Sequence, residues 1–248
     1  MTPDKLLIKG LTELGLSCTD VQTDAFMTLL SELKKWNKAY NLTALKTDDD
    51  IIIKHFLDSV LYLKAIGESV KGQINNIENV IPAEAGIQRS SSLLDSRLRG
   101  NDHLEYLQYS QLSIADAGSG AGFPGIPIKI IRPEIKITLI ESSRKKTAFL
   151  RHIIRLLKLE NISVLEQRVE NLGAEYRKAF DIIVSRATFK VTDFLKTAYP
   201  YVKDNGRLVL SKGPGALEEI EGIEAVQKIM KLKLPLAGDE RNLIILKC

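Results

Sequence analysis

Ile114-Ala115-Asp116-Ala117-Gly118-Ser119-Gly120-Ala121-Gly122, followed by Phe123-Pro124-Gly125-Ile126-Pro127, decides how this chain folds. A β-rich run, Ser113–Ala117, carries an acid near its end and then meets glycines at 118, 120 and 122. The residues from about 124 to 132 return to a helical pattern. A strand that enters glycine-rich backbone and then a helix can bring main-chain N–H groups close to a ligand. The dinucleotide fingerprint G-x-G-x-x-G needs its third glycine at position 123, where Phe123 stands. A nicotinamide-dependent oxidoreductase is therefore a poor reading.

Downstream, strand-like and helix-like segments alternate. Short β-rich runs lie at Ser113–Ala117, Lys136–Glu141, Ser163–Gln167, Phe180–Ser185 and Arg207–Ser211, with helical patterns at about 124–132, 144–158, 169–178 and 189–201. That alternation predicts an α/β protein, a parallel sheet covered by helices on both faces. Residues 227–233 and Asn242–Lys247 flank Pro235-Leu236-Ala237-Gly238-Asp239 and predict an antiparallel pair at the C-terminal sheet edge.

Upstream the chain is helical. Thr19 with Gln22 forms a capping-box spacing, and Phe26, Leu29, Leu30, Leu33, Trp36 and Tyr40 follow on one face. Asp48, Asp49 and Asp50 open a second helix with the stripe Ile52, Phe56, Val60 and Leu63, ending near Ile66. Residues 67–112 keep neither period. Over 68–112, four Lys/Arg stand against six Asp/Glu, a net of −2 that leaves +6 on the rest of this +4 chain. A loop of that length is unusual in a domain, and its acidity opposes a nucleic-acid arm. The expected organisation is an N-terminal helical region (1–66), an inserted surface segment (67–112) and a ligand-binding domain (113–248).

Composition narrows the function classes. The 248 residues are 44% hydrophobic and 27% charged, ample for a core, and every apolar run is broken before the length a membrane span needs. The start, Met1-Thr2-Pro3-Asp4-Lys5, lacks a signal-peptide layout, and two cysteines at opposite ends suit a reducing compartment, so a cytoplasmic location is expected. The three histidines are scattered, so no metal site is expected.

The spelling acidic-x-G-x-G-x-G, with Asp116 at its head, resembles the first motif of S-adenosylmethionine-dependent methyltransferases. The cofactor's ammonium suits a nearby carboxylate. Gly120 follows from that loop, and Glu141 ends the next strand where nucleotide-binding α/β folds place an acid for ribose hydroxyls. The third strand runs out at Arg168-Val169-Glu170, at the expected adenine edge; Glu170 equally suits a helix start.

Longer motifs carry a closer resemblance. Asp116 to Pro127 looks like the signature of the ribosomal small-subunit methyltransferase G family, also called glucose-inhibited division protein B. Trp36-Asn37-Lys38-Ala39-Tyr40-Asn41-Leu42-Thr43-Ala44, His55-Phe56-Leu57-Asp58-Ser59, Arg168-Val169-Glu170, Ser185-Arg186-Ala187 and Lys212-Gly213 resemble further motifs of that family in the same order. The resemblance covers the chain outside roughly 68–112. Within that stretch, Val80 to Gln88 and Leu94 to Asp102 look like translated palindromic repeat elements. The resemblance implies a Rossmann-like class I methyltransferase sheet, mostly parallel with an antiparallel C-terminal edge and preceded by N-terminal helices. It implies methylation of guanine N7 in 16S ribosomal RNA of the 30S subunit by a monomer that needs neither membrane nor metal. The family's cofactor contacts carry over to Gly118, Phe123, Val169, Glu170 and Arg186.

Guanine N7 has a lone pair and no hydrogen, so no general base is required and no catalytic residue is expected. Arg186, just after the fourth strand, suits the cofactor carboxylate, an RNA phosphate or guanine O6. His55 reads as a packed, hydrogen-bonded histidine sharing a helix face with Asp58. Trp36 and Tyr40 read as core aromatics, Asn41 as a tie for the turn between the helices, and Lys212 equally as a phosphate contact or a solvated lysine. Lys34, Lys35, Lys38, Arg144, Lys145, Lys146, Arg151 and Arg155 are available for phosphates, although such runs are usually solvated helix faces. Two other functions stay open at this level. One is a methyltransferase for another RNA site or a small molecule; the other is a non-catalytic ribosome-assembly module, which need show no cofactor affinity.

Overall fold

The computed structural model describes residues 1–78, 109–186, 190–213 and 215–248. The strands are β1 (Ser113–Ala117), β2 (Lys136–Ile140), β3 (Ile162–Leu165), β4 (Phe180–Arg186), β5 (Val202–Lys212), β6 (Val226–Lys233) and β7 (Glu240–Lys247). They form one sheet in the order β3-β2-β1-β4-β5-β7-β6. The first five pair in parallel, and β7 runs antiparallel between β5 and β6. This is the mostly parallel Rossmann-like sheet with the antiparallel edge that the sequence predicts. Chain order reverses between β1 and β4. At such a switch point the connections leave in opposite directions and open a crevice at the carboxyl ends of the strands.

Both sheet faces are apolar, as a parallel sheet with two covered faces requires. Ile114, Ile137, Ile182 and Val184 face a core shared with the N-terminal helices, whereas Ile183, Leu208 and Leu210 face a second core containing Val191 and Phe194. The N-terminal layer comprises α1 (Pro3–Glu13), α2 (Asp20–Tyr40), α3 (Asp48–Ile51), a π-helical turn (Ile52–Leu57), α4 (Asp58–Val60) and α5 (Tyr62–Glu78). Thr19 and Gln22 form the expected reciprocal capping box at the start of α2. Asn41 ends that helix in the left-handed region (φ 51°), while Asn37 ties the following turn by accepting the Thr43 N–H at 2.9 Å. Three further helices lie on the sheet: α6 (Gly125–Ile131), α7 (Arg144–Leu156) and α8 (Val191–Ala198).

Several expectations need correction. The helix placed over Asp48–Ile66 is interrupted by the π turn and continues to Glu78, because Ala65, Ile66 and Val70 still bury an apolar stripe. The helix expected over 169–178 is instead two 3₁₀ turns, Val169–Asn171 and Ala174–Tyr176, separated by extended backbone at Leu172 and Gly173. The fifth strand begins at Val202, five residues before the Arg207 read from the sequence, and α1 escaped that reading. Of the expected 67–112 insert, residues 67–78 continue α5 and residues 79–108 lie outside the described residues. Tyr109 and Leu112, just beyond, are buried in the core under the sheet.

Candidate functional site

The glycine loop sits at the switch point. Gly118, Gly120 and Gly122 all have positive φ (74°, 59° and 94°), a conformation that side chains disfavour. The N–H groups of Gly118 and Ser119 donate to the Ile140 carbonyl at 2.9 and 3.0 Å, and those of Gly122 and Phe123 return to the Ser119 carbonyl. Most of the loop's donors are therefore spent within the protein. The glycines give the loop its path and its closeness to the cleft rather than a row of free N–H groups. A Cβ on Gly122 would lie 2.5 Å from Ile126 Cγ1, which shows how tightly the loop packs on α6.

Asp116 stands behind this loop, fully buried. Its Oδ2 accepts the Gly125 N–H at 2.8 Å at the start of α6, whereas Oδ1 has no hydrogen-bond partner. Burial pushes its carboxyl up to about 7, against the opposing pull of the Gly125 N–H and Arg186. Its first duty is to hold the helix start.

Glu141 reaches the loop from the end of β2. Its Oε2 accepts the Gly120 N–H at 2.9 Å and its Oε1 the Ser143 N–H at 2.8 Å, with Lys146 Nζ 4.0 Å away. Beside it opens a cleft of about 300 Å³ whose walls include Gly118, Glu141, Gln167, Arg168, Val169 and Glu170. Small-molecule sites span roughly 300–1,000 Å³, so this is at the compact end. Val169 is buried and Glu170 exposed, its carboxylate 3.9 Å from Arg168. The first three strands thus deliver Gly118, Glu141, Val169 and Glu170 to one cleft, while Gly120 does not line it and is tied to it through the bond to Glu141. Lys146, read from the sequence only as a possible phosphate contact, also lines the cleft, as does Gln167, which the sequence does not single out as a site residue; no spacing rule marks a glutamine just past a strand as a wall residue.

Phe123 and Arg186 belong to an adjoining cluster under the N-terminal layer. The Arg186 guanidinium carbon lies 5.3 Å from the Phe123 ring centre, and the His55 ring stacks on Phe123 at 4.4 Å and 15°. His55 Nε2 is 2.7 Å from Thr43 Oγ1, and burial together with nearby Arg186 pushes the imidazole down to about 3. The expected pairing of His55 with Asp58 does not form. Asp58 pairs instead with Arg186 and Arg241, because its side chain faces the sheet rather than the preceding helical turn. Below them Tyr62, fully buried, donates to the Ser185 carbonyl at 2.6 Å and accepts the Ser211 N–H at 3.1 Å, joining α5 to the ends of β4 and β5.

Several of the remaining candidates are held in ordinary pairs. Lys212 bonds Glu219, Lys34 pairs with Asp48 and Arg151 with Glu166. Trp36, half-buried, packs against Phe149 and the His152 ring at the edge of the core, whereas Tyr40, read as a core aromatic, is 43% exposed at the last residue of α2 and touches only the core's margin through the Trp36 ring. Among the described residues no group of three or more His, Cys, Asp or Glu is placed to hold a metal ion, and no helix is long and apolar enough to cross a membrane.

Comparison with known proteins gives a consistent picture. A family model described as rRNA small subunit methyltransferase G (GidB) matches residues 22–77 and 89–244, leaving out 78–88, so the stretch outside the family match is shorter than the 68–112 read from the sequence. A ribosomal RNA small subunit methyltransferase G from Geotalea uraniireducens is 33% identical over 254 residues, covering 99% of this chain and 97% of that protein. One of the same name from Acetivibrio thermocellus is 32% identical over 253 residues, covering 98% and 87%. On this evidence of sequence, the chain belongs to the rRNA small subunit methyltransferase G family.

Proposed function

We propose that this protein transfers a methyl group from S-adenosylmethionine to N7 of a guanine in 16S ribosomal RNA of the 30S subunit. The observation that carries the reading is the cleft bounded by Gly118, Glu141 and Val169–Glu170 in a chain of this family. The donor set suits the cofactor. An acid at the end of β2 fits a ribose diol, and each of its oxygens has capacity beyond the one N–H it already accepts. The buried Asp116 Oδ1 and Ser119 Oγ, both without partners, mark polar capacity behind the loop. Gly118, Gly120, Phe123, Glu141, Val169, Glu170 and Arg186 are the residues assigned to hold the cofactor.

When bound, the cofactor supplies a methyl carbon already activated by its sulfonium. The protein's part is to align guanine N7 with that carbon and to exclude water. N7 gives up no proton, so no side chain need act as base. His55, stacked on Phe123, is ill suited to that task in any case, since it is half-buried, engaged by Thr43 and held down to about 3. Arg186, at the end of β4, brings a fixed positive charge to the acceptor side.

The test is single-turnover methylation of 30S particles that lack the modification, with labelled cofactor, followed by mapping of N7-methylguanine in the 16S RNA. Label incorporated at one guanine N7 is the expected result. A folded protein that binds cofactor but leaves 16S RNA unlabelled refutes the reading.

A further inference from the structure

The motif His55-Phe56-Leu57-Asp58-Ser59 is not accounted for by cofactor binding, yet it spans the end of a π-helical turn in the N-terminal layer. Residues 52–57 form a π-helical turn, and Asp58 is the first residue after it. π turns are rare, cost helix regularity and concentrate at functional sites. This one lies against Phe123 and Arg186.

Asp58 is a buried carboxylate, 6% exposed, facing two arginines from different strands. Its Oδ1 accepts the Nε–H of Arg241, on β7, at 2.8 Å, and its Oδ2 lies 3.6 Å from Nη1 of Arg186, at the end of β4. The same Nη1 donates to the Lys54 carbonyl at 3.1 Å, inside the π turn. The Arg186 guanidinium is therefore fixed from three directions: a carboxylate, a carbonyl and the Phe123 ring. Arg186 and Arg241 keep 20% and 23% of their side chains exposed, so each remains in reach of solvent.

Stability alone gives little reason for this charge. Taking a carboxylate and guanidinium groups out of water costs about what their attraction returns, and apolar replacements are often neutral or better. The join between the N-terminal layer and the sheet is already made by the apolar core and by Tyr62, which bonds the ends of both β4 and β5. What Asp58 adds is direction. A planar guanidinium held along one edge presents its other edge in a defined orientation.

We propose that Asp58 is a positioning residue of the methyl-transfer reaction, holding the Arg186 guanidinium against Phe123 on the acceptor side of the cofactor cleft, with Arg241 anchoring the carboxylate. The proposal rests on the methyltransferase reading above. It predicts that Asp58 acts through Arg186 and not independently of it.

A double-mutant comparison tests this, using full-length protein and undermethylated 30S particles. Wild-type turnover is the control for the underlying function: if it is absent, the methyltransferase reading fails, whereas the positioning proposal is judged only on the variants' rates relative to it. Asp58→Asn should lower the single-turnover rate about tenfold or more, with the KM for 30S particles changing less than the rate. Arg186→Lys should lower it as well, and the double variant should be no slower than Arg186→Lys. Asp58→Glu, which restores the charge, should recover part of the rate. Should Asp58→Asn not fold, Arg241→Gln, altered at an anchor that is 23% exposed, takes its place and should give a smaller, several-fold loss that disappears in the Arg186→Lys background. Multiplicative losses in the double variant, or a folded Asp58→Asn protein at the wild-type rate, overturn the proposal.

Discussion

Gly120 and Gly122 differ by two positions and both have positive φ, yet the structure gives them different costs. At Gly120 φ is 59°, inside the narrow left-handed basin, and a Cβ would have no heavy atom within 4 Å. Alanine there pays the left-handed penalty of roughly 1–2 kcal/mol and little else. At Gly122 φ is 94°, outside that basin, and a Cβ would sit 2.5 Å from Ile126 Cγ1 and 3.0 Å from Leu150 Cδ2. Ile126 and Leu150 are themselves fully buried and have nowhere to retreat, so overpacking adds roughly 1–3 kcal/mol. Gly122→Ala should therefore lose about 2–5 kcal/mol against about 1–2 for Gly120→Ala. For a domain of this size each kcal/mol moves the melting midpoint by roughly 2–4 °C, so thermal unfolding by circular dichroism resolves the pair. Calorimetric titration with S-adenosylmethionine adds a functional axis. The Gly120 N–H is held by Glu141 of the cleft wall and the space around its Cβ position is open, so Gly120→Ala should weaken cofactor binding more than its small stability loss suggests. Equal melting shifts for the two variants would refute the packing argument; unchanged cofactor affinity in folded Gly120→Ala would remove Gly120 from the site.

Three further outcomes are expected. Asp116 ionises near its ordinary value when unfolded but at about 7 when folded, so the native state holds the extra proton between those values and this group's stability contribution is lost as pH rises through that window; Asp116→Asn, which can still accept the Gly125 N–H, should flatten the fall in melting temperature between pH 4 and 7, and an unaltered slope counts against the buried-acid account. His55→Asn should cost stability through lost stacking on Phe123 while keeping methyl transfer within about tenfold of wild type, whereas a thousandfold loss in a folded protein would reinstate a general base. Replacing residues 79–108 with a short Gly/Ser linker, leaving α5 and the buried Tyr109 intact, should preserve cofactor affinity and 30S methylation, since loop length costs little and the segment is net acidic; a shortened protein that binds cofactor yet fails on 30S would place the segment in the RNA site.

How far the sequence reached depended on whether a residue's role was local. The strands were legible because Ile182, Ile183 and Val184 form a continuous apolar run, which only a sheet covered on both faces buries. The capping box was legible because Thr19 and Gln22 satisfy each other across three residues. Gly118, Glu141 and Val169 converge because each follows, within a few residues, a strand of one parallel ladder, so their meeting follows from topology. Asp58 was read wrongly for the opposite reason. Helical spacing pointed it at His55, three residues back, but helical spacing holds only while the turn keeps its period. The π turn at 52–57 breaks that period immediately before Asp58, and its true partners lie 128 and 183 residues away on β4 and β7. The same applies to Asp116, whose helix-start partner Gly125 is nine residues on and is reached only because the glycine loop folds back over it. Charged residues whose partners come from other strands are invisible to periodicity. In this chain Arg186 and Arg241 converge on one buried carboxylate, that of Asp58, and are brought there by the assembled sheet.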